Sequence, residues 1–291
     1  NISYDQGDNW IKLNQPSVGQ FYSINVDNSE PYNVYGGLQD NGVWMASNQS
    51  FESPYWYESG HNNWTKIMGG DGMQIQIDKR NNNIVYTGLQ FGNYYRLDLE
   101  NESRKNIKPR HKLGQSPLRF NWQTPILISK HNQDIIYFGS NKLHRSLDKG
   151  NNWDEISDDL TNGGLKGNVP YGTITTFDES THEFGKIVVG TDDGNIILTQ
   201  DSGTNWKQIN NGLPSSLWVS RVIFSNHNEN RIYASLNGYR LNNFEPHVYV
   251  SDDNGNSWNK ISSNLPLSPI NVIREDIKDE RILYVGTDNG L

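Results

Sequence analysis

An all-β fold built as a β-propeller of four-stranded antiparallel blades is what this sequence predicts, and three observations predict it. The first is a turn spelled repeatedly: "SLDKGNNW" (146–153), "TQDSGTNW" (199–206), "SDDNGNSW" (251–258) and, earlier, "SYDQGDNW" (3–10), with "ESGHNNW" (58–64) as a degenerate copy. Trp153 and Trp206 are 53 residues apart and Trp206 and Trp258 are 52 apart, a period that marks a repeat architecture. The second is the composition: 9 Trp, 15 Tyr and 27 Gly with short apolar runs suit short strands and tight turns. The third is that no stretch sustains a 3.6-residue apolar period with helix caps.

The unit is larger than its turn. "DIIYFGSNKLHRSLDKGNNWDEI" (134–156) aligns with "GKIVVGTDDGNIILTQDSGTNWKQI" (185–209), and "ERILYVGTDNGL" (280–291) aligns with the front of both. Each reads strand, Gly-rich turn, strand, Asp-bearing turn, strand. A further strand precedes, as in "PILISKHNQ" (125–133), "GTITTFDES" (172–180), "SRVIFSNHNE" (220–229) and "INVIREDIKD" (270–279). Four short antiparallel strands make one propeller blade. First strands start near 20, 72, 125, 172, 220 and 270, which predicts six blades over about 15–66, 67–112, 118–158, 168–211, 216–263 and 268–291. The last lacks its own Asp-bearing turn, and residues 1–14 supply one; pairing that N-terminal strand with 268–291 would close a ring and remove exposed edges.

Every residue type in the repeated turn has a folding reason. Gly150 takes a positive φ at little steric cost in the hairpin between third and fourth strands. Asp148 can accept backbone N–H bonds across the turn, and Ser146 can add a second local bond. Trp153 opens the outer strand with a large apolar face for packing between sheets. Asp5, Trp10, Asp201, Gly203, Trp206, Asp253, Gly255 and Trp258 are the equivalent structural residues.

Charge and composition exclude several functions. The net charge is −8 and basic residues do not cluster, which argues against nucleic acid as a partner. There is no cysteine, so disulfides, thiolate metal sites and cysteine nucleophiles are excluded. No apolar run approaches the roughly 18 residues of a membrane-spanning helix, and no membrane insertion is expected. The chain starts just before one Asp-bearing turn and stops within "GTDNGL", so a processed or excised piece of a longer protein is expected. No Walker loop, nucleophile elbow or His-Glu-x-x-His is present. "DDNGNS" (252–257) faintly echoes a calcium loop, but its Gly is misplaced and Ser263 stands where the twelfth-position Glu belongs. The seven His are scattered without ligand spacing. Neither metal nor cofactor is expected.

The Ser-x-Asp-x-Gly-x-x-Trp turn resembles the Asp-box, or bacterial neuraminidase repeat, of sialidases, sortilin-type receptors and xyloglucan-cleaving endoglucanases. Beyond the turns, "YNVYGGLQDNGVW" (32–44), "GGDGMQIQIDKRNNNIVYTGLQFGNYYRLDL" (69–99), "LRFNWQTPILISKHNQDIIYFGSNKLHRSLDKGNNWDEISDDLT" (118–161), "IVVGTDDGNIILTQDSGTNW" (187–206) and "NVIREDIKDERILYVGTDNGL" (271–291) resemble sortilin-like or glycosyl-hydrolase-like bacterial proteins of the secreted or envelope class. The resemblance covers nearly the whole chain. It implies two tandem propellers, with this chain most of the second, a neighbouring propeller in the parent protein, and a secreted or cell-envelope location.

Propeller ligands usually meet the face carrying the two-to-three turns and the segments leading into each first strand, a fold-level analogy. That face is expected to collect Asp40, Gln90, Tyr94, Asn141, Asp192 and Asp288 from the turns, and Tyr239 and Arg240 from a long loop at 236–247. Tyr22, Asp71, Arg119, Trp122, Tyr171, Trp218 and Arg221 come from the first-strand approaches. Asp71, between glycines in "GGDG", is the best candidate acid or base for sugar cleavage, with Asp40 as partner, since glycosidases work with two carboxylates. It resembles in placement the channel Asp of the xyloglucan-cleaving enzymes. Against this, Asp40, Asp192 and Asp288 fill equivalent turn positions and can be satisfying their own turns, and Asp71 can cap a backbone N–H. Trp122 and Trp218 can be packing between blades. "FESPYWYESGH" (51–61), with Tyr55, Trp56 and Tyr57, reads equally as a contact patch or a hairpin tip. Sialidase chemistry is disfavoured, because no Arg-Ile-Pro approach and no Tyr–Glu pair stand out. The expected function is a secreted or envelope binding module for a protein or glycan partner, with polysaccharide hydrolysis as the alternative.

Overall fold

The computed structural model describes residues 3–10, 19–50 and 63–291. Its architecture is all-β, of the propeller class, with a single 3-10 turn, Tyr239–Leu241, among the described residues. The chain divides into two compact units, Asn1–Asn106 and Ile107–Leu291.

The first unit holds two four-stranded antiparallel blades, each ordered as in the sequence. Blade 1 is β1 (Phe21–Val26), β2 (Asn33–Leu38), β3 (Gly42–Ser47) and β4 (Thr65–Met68). Blade 2 is β5 (Gln76–Ile77), β6 (Ile84–Leu89), β7 (Asn93–Asp98) and β8 (Ser103–Asn106). Tyr35 and Val43 of blade 1 bury against Ile75, Ile77 and Val85 of the next.

The second unit holds blade 3, of β9 (Ile126–Ile128), β10 (Ile136–Gly139), β11 (Leu143–Ser146) and β12 (Asp154–Glu155), and blade 4, of β13 (Ile174–Glu179), β14 (Ile187–Thr191), β15 (Ile196–Thr199) and β16 (Lys207–Gln208). Blade 5 follows with β17 (Trp218–Phe224), β18 (Ile232–Gly238), β19 (Asn243–Ser251) and β20 (Asn259–Lys260), and then the pair β21 (Ile270–Glu275) and β22 (Leu283–Thr287). In blade 4 the two middle strands are largely apolar and enclosed on both faces. All of β14 and β15 is buried, whereas the short outer strands β8, β16 and β20 are exposed and polar. A polar, two-residue outer strand such as β16 or β20 also makes a poor template for pairing with other chains.

Between blades 4 and 5, Val188, Ile196 and Leu198 pack with Val219, Val222 and Phe224. Tyr137 and Leu143 meet Ile174, Phe177 and Ile187 across blades 3 and 4, and Ile223, Tyr233 and Val248 meet Ile270 and Ile273 beyond blade 5.

The repeated turns form as their residue types require. Asp148 accepts the N–H of Asn152 at 2.8 Å and its side-chain amide at 2.6 Å, while Ser146 donates to Asp148 and accepts from Gly150 N–H, both at 2.8 Å. Asp201 and Asp253 repeat this with Asn205 and Ser257. Gly150, Gly203 and Gly255 have φ of +80°, +94° and +80°. They also meet a second demand that the sequence reading did not contain. A Cβ on Gly150, Gly203 or Gly255 would press on Ile107, Ile156 or Ile209, each contributed by the chain before that blade. Two of the three indoles complete the joint, Trp206 Nε1 donating to Ile156 O at 2.9 Å and Trp258 Nε1 to Ile209 O at 2.6 Å, while Trp153 packs edge-on against Phe138.

Three expectations need correction. Five complete four-stranded blades are present where six were expected, because the sixth contributes only β21 and β22 among the described residues. At the N-terminus the Asp5 turn forms, with Asn9 N–H donating to Asp5 at 2.9 Å, but Trp10 is 64% exposed rather than packed between sheets. The strand expected after it falls partly on residues 11–18, outside the described residues, as does the insert 51–61 with Tyr55, Trp56 and Tyr57. The loop at 236–247 is shorter than predicted. β18 runs on to Gly238 and β19 starts at Asn243, so a 3-10 turn and one residue connect them.

Candidate functional site

The second unit contains a cleft of about 400 Å³ on the face where first strands begin and second strands turn. Asn121 and Trp122 reach it from the segment before β9, Val169, Pro170 and Tyr171 from that before β13, and Ser216 and Trp218 from the start of β17. The β14–β15 turn adds Asp192, and the β18–β19 connection adds Asn237, Arg240 and Leu241. A bulge early in the inner strand recurs in β1, β13, β17 and β21, and such bulges re-aim side chains where a strand meets a site.

The aromatic side chains are partly open. Trp122 is 37% exposed, and Tyr171 and Trp218 are half-buried. Burial pushes the Tyr171 phenol up, as do the charges of Asp192 and Asp193, so it stays a neutral hydroxyl at physiological pH. The Arg240 guanidinium lies 4.1 Å over the Trp218 ring, a cation–π contact that holds the charge at the mouth.

Asp192 is committed to the scaffold. It is 3% exposed; Oδ1 accepts the N–H groups of Gly172 at 3.1 Å and Thr173 at 2.8 Å, and Oδ2 accepts the Thr173 hydroxyl at 2.6 Å. The Thr173 oxygen in turn accepts from the Asn121 amide at 2.9 Å. Burial pushes the Asp192 carboxyl up, the Asp193 charge adds to the rise, and the Thr173 and Gly172 bonds oppose it. Arg119 is likewise consumed. It donates to Gly172 O at 3.0 Å, to Asp159 at 2.6 Å and to Thr161 at 3.0 Å, and so pins the backbone that Asp192 holds from the other side.

The structure thus brings Trp122, Tyr171, Asp192, Trp218 and Arg240 together and leaves other candidates elsewhere. Tyr239 stacks edge-on against Phe244, and Asp288 accepts the Asn271 amide at 2.7 Å. Arg221 sits on the inner strand β17, where burial and the charge of Arg274 push its guanidinium down while Asp178 opposes. In the first unit, Asp71 Oδ1 accepts the Asp40 N–H at 2.7 Å, and Asp40 holds a φ of +58°, so this bond braces a strained turn. Tyr22 is half-buried on β1 and Gln90 half-buried at the β6–β7 turn. Tyr94 is fully buried in β7, which leaves its side chain no surface to offer a ligand and corrects that expectation. Sequence reasoning missed Asn121 and Thr173, ordinary residues in "RFNWQT" and "YGTIT" whose role appears only when Asp192 is placed beside them.

No curated protein matches the chain in sequence. Among solved structures, it is similar to a GH74 enzyme from Niastella koreensis, with a TM-score of 0.62 and 15% identity over 93% of this chain and 41% of that one. It is similar to the GH74 xyloglucanase of Xanthomonas campestris, with a TM-score of 0.50 and 14% identity over 92% of this chain and 50% of that one. A computationally designed protein, Ika8, gives 0.51 and 13% over 92% of this chain and 68% of its own. At these identities the likeness is one of fold, and the chain spans less than half to half the length of the two GH74 proteins. The family model for Sortilin-Vps10 (sortilin, neurotensin receptor 3) matches residues 141–290, just over half of the sequence and the part that carries β11 to β22 and the cleft's lining residues other than Asn121 and Trp122. The chain belongs to the Sortilin-Vps10 family.

Proposed function

We propose that this propeller is a secreted or cell-envelope binding module that holds a glycan in the cleft of the second unit. One observation carries the reading: three aromatic side chains and a cation line a cleft whose sole carboxylate, Asp192, spends both oxygens on the protein itself. Sugar rings present apolar faces to aromatic side chains and hydroxyls to polar rims, and ligand sites combine largely apolar walls with a few placed polar groups. Glycoside cleavage needs two working carboxylates, and the cleft lining offers none that is uncommitted.

A second reading, polysaccharide hydrolysis through Asp71 and Asp40, draws on the fold likeness to GH74 proteins. The bond from Asp40 N–H to Asp71 weighs against it, because it commits one of the carboxylate's two oxygens to backbone bracing. The deciding experiment pairs affinity electrophoresis on a polysaccharide panel with a reducing-end assay. Retardation without new reducing ends, lost in Trp218→Ala, supports binding. Turnover abolished by Asp71→Asn with the fold intact would overturn it.

A further inference from the structure

Resting on that glycan-binding reading, we infer that the cleft selects an acidic glycan, one bearing a sugar carboxylate, through Arg240. The argument is a charge inventory. Of the cleft's lining residues only Asp192 and Arg240 carry formal charge. Asp192 is satisfied internally by two backbone N–H groups and a hydroxyl and is almost wholly shielded from the cleft's water. Arg240 is exposed, and among the described residues no carboxylate pairs with it and no hydrogen bond engages it. It stacks on the Trp218 face, which orients the planar guanidinium without neutralising it.

A planar fork with free N–H donors matches a carboxylate bidentately, and stacking on an indole reduces the ordering needed to make that match. Trp218 and Arg240 therefore form a composite in which the guanidinium covers one indole face and keeps its N–H edges for a ligand carboxylate. A uronate carries its carboxylate on C5, at the edge of the pyranose ring, where a guanidinium fork can engage it. A neutral sugar would leave the cation unpaired. The overall charge of −8 does not reverse this, since repulsion beyond about 8 Å is screened at physiological salt while the direct pair is not.

The test is calorimetric titration of the full chain with a homogalacturonan oligosaccharide and with the same oligosaccharide after reduction of its carboxylates to alcohols. Wild type is expected to bind the acidic form about tenfold tighter, with affinity falling as NaCl rises. Arg240→Gln, at an exposed position, is expected to bind both forms equally with an unchanged melting temperature, and Trp218→Ala to weaken both. Equal wild-type affinity for the two forms, with Trp218→Ala still losing both, would overturn the acidic selectivity and leave glycan binding standing. Binding of neither form, with Arg240-dependent capture of an acidic peptide instead, would overturn both.

Discussion

Trp206 donates its indole N–H to the carbonyl of Ile156, one blade earlier in the chain, at 2.9 Å. Beside this bond, a Cβ on Gly203 would lie 2.5 Å from the same carbonyl oxygen. The turn therefore does two jobs: it closes its own hairpin, and it presses a backbone with no side chain against the neighbouring blade so that the indole can reach.

Gly203→Ala is expected to cost about 3 kcal/mol, combining the penalty of a left-handed alanine at φ +94° with displacement of Ile156. Gly212→Ala is the control. Its φ is +84° but nothing lies within 4 Å of the added carbon, so about 1 kcal/mol is expected. Urea unfolding of both variants checks the difference. Equal midpoints would show that close approach to Ile156 contributes nothing.

The repeated carboxylates predict acid sensitivity. The Asn152 N–H and amide, with the Ser146 hydroxyl, hold the Asp148 carboxyl down at about 2, and Ser257 with Ser251 does the same for Asp253. The unfolded value is about 3.8, so the folded state binds protons less readily than the unfolded one. Their stabilisation is present above pH 3.8 and is lost as pH falls towards 2. Urea midpoints should drop across that window, and more shallowly in Asp148→Asn; an unchanged slope in that variant would rule out this turn as a source.

The repeat units, the all-β class and the turn bonds were legible because each depends on residues close in sequence. The joints between blades were not. Glu179 accepts from Tyr137 at 2.8 Å, from Ser129 at 2.6 Å and from Lys130 N–H at 2.9 Å. Glu275 repeats the pattern with Tyr233, Ser225 and Asn226. These partners stand 42 to 50 residues apart, and "SKHN" and "SNHN" had read only as strand ends. At the site, Trp122 and Trp218 were legible as residues of the first-strand approaches and Arg240 as a residue of the 236–247 connection. Asp192 was legible as a turn residue, but its dependence on Thr173 needed the fold. Tyr94 misled because it was counted with the turn residues, whereas β7 already starts at Asn93 and buries it.

Tyr137→Phe is expected to cost about 1–2 kcal/mol, since it removes one donor from a buried carboxylate that keeps its other bonds. Glu179→Ala is expected to cost more, about 3 kcal/mol, because it strands four donors at once, the Ser129 and Tyr137 hydroxyls and the Lys130 and Gly185 N–H groups. Chemical denaturation ranks the two, and a smaller loss in the alanine variant would remove the clamp from the list of stabilising joints.

Asp192 predicts the opposite pH behaviour from the turn carboxylates. Its carboxyl is pushed up by burial, so the folded state holds this proton more readily than the unfolded chain does. The stability it contributes is fully present below the unfolded value of 3.8 and is lost as pH rises through the folded one. Asp192→Asn should therefore change stability by no more than about 1 kcal/mol at pH 7, because an amide oxygen can keep the Gly172 and Thr173 N–H groups paired without a charge to desolvate. Asp192→Ala strands both N–H donors and the Thr173 hydroxyl, and is expected to cost about 2–3 kcal/mol and to loosen the backbone that carries Tyr171 into the cleft. Thermal melts with glycan titration separate the roles: Asn should keep both stability and binding, and Ala should lose both. Loss of glycan binding in the stable Asn variant would instead place the Asp192 charge in direct contact with the ligand.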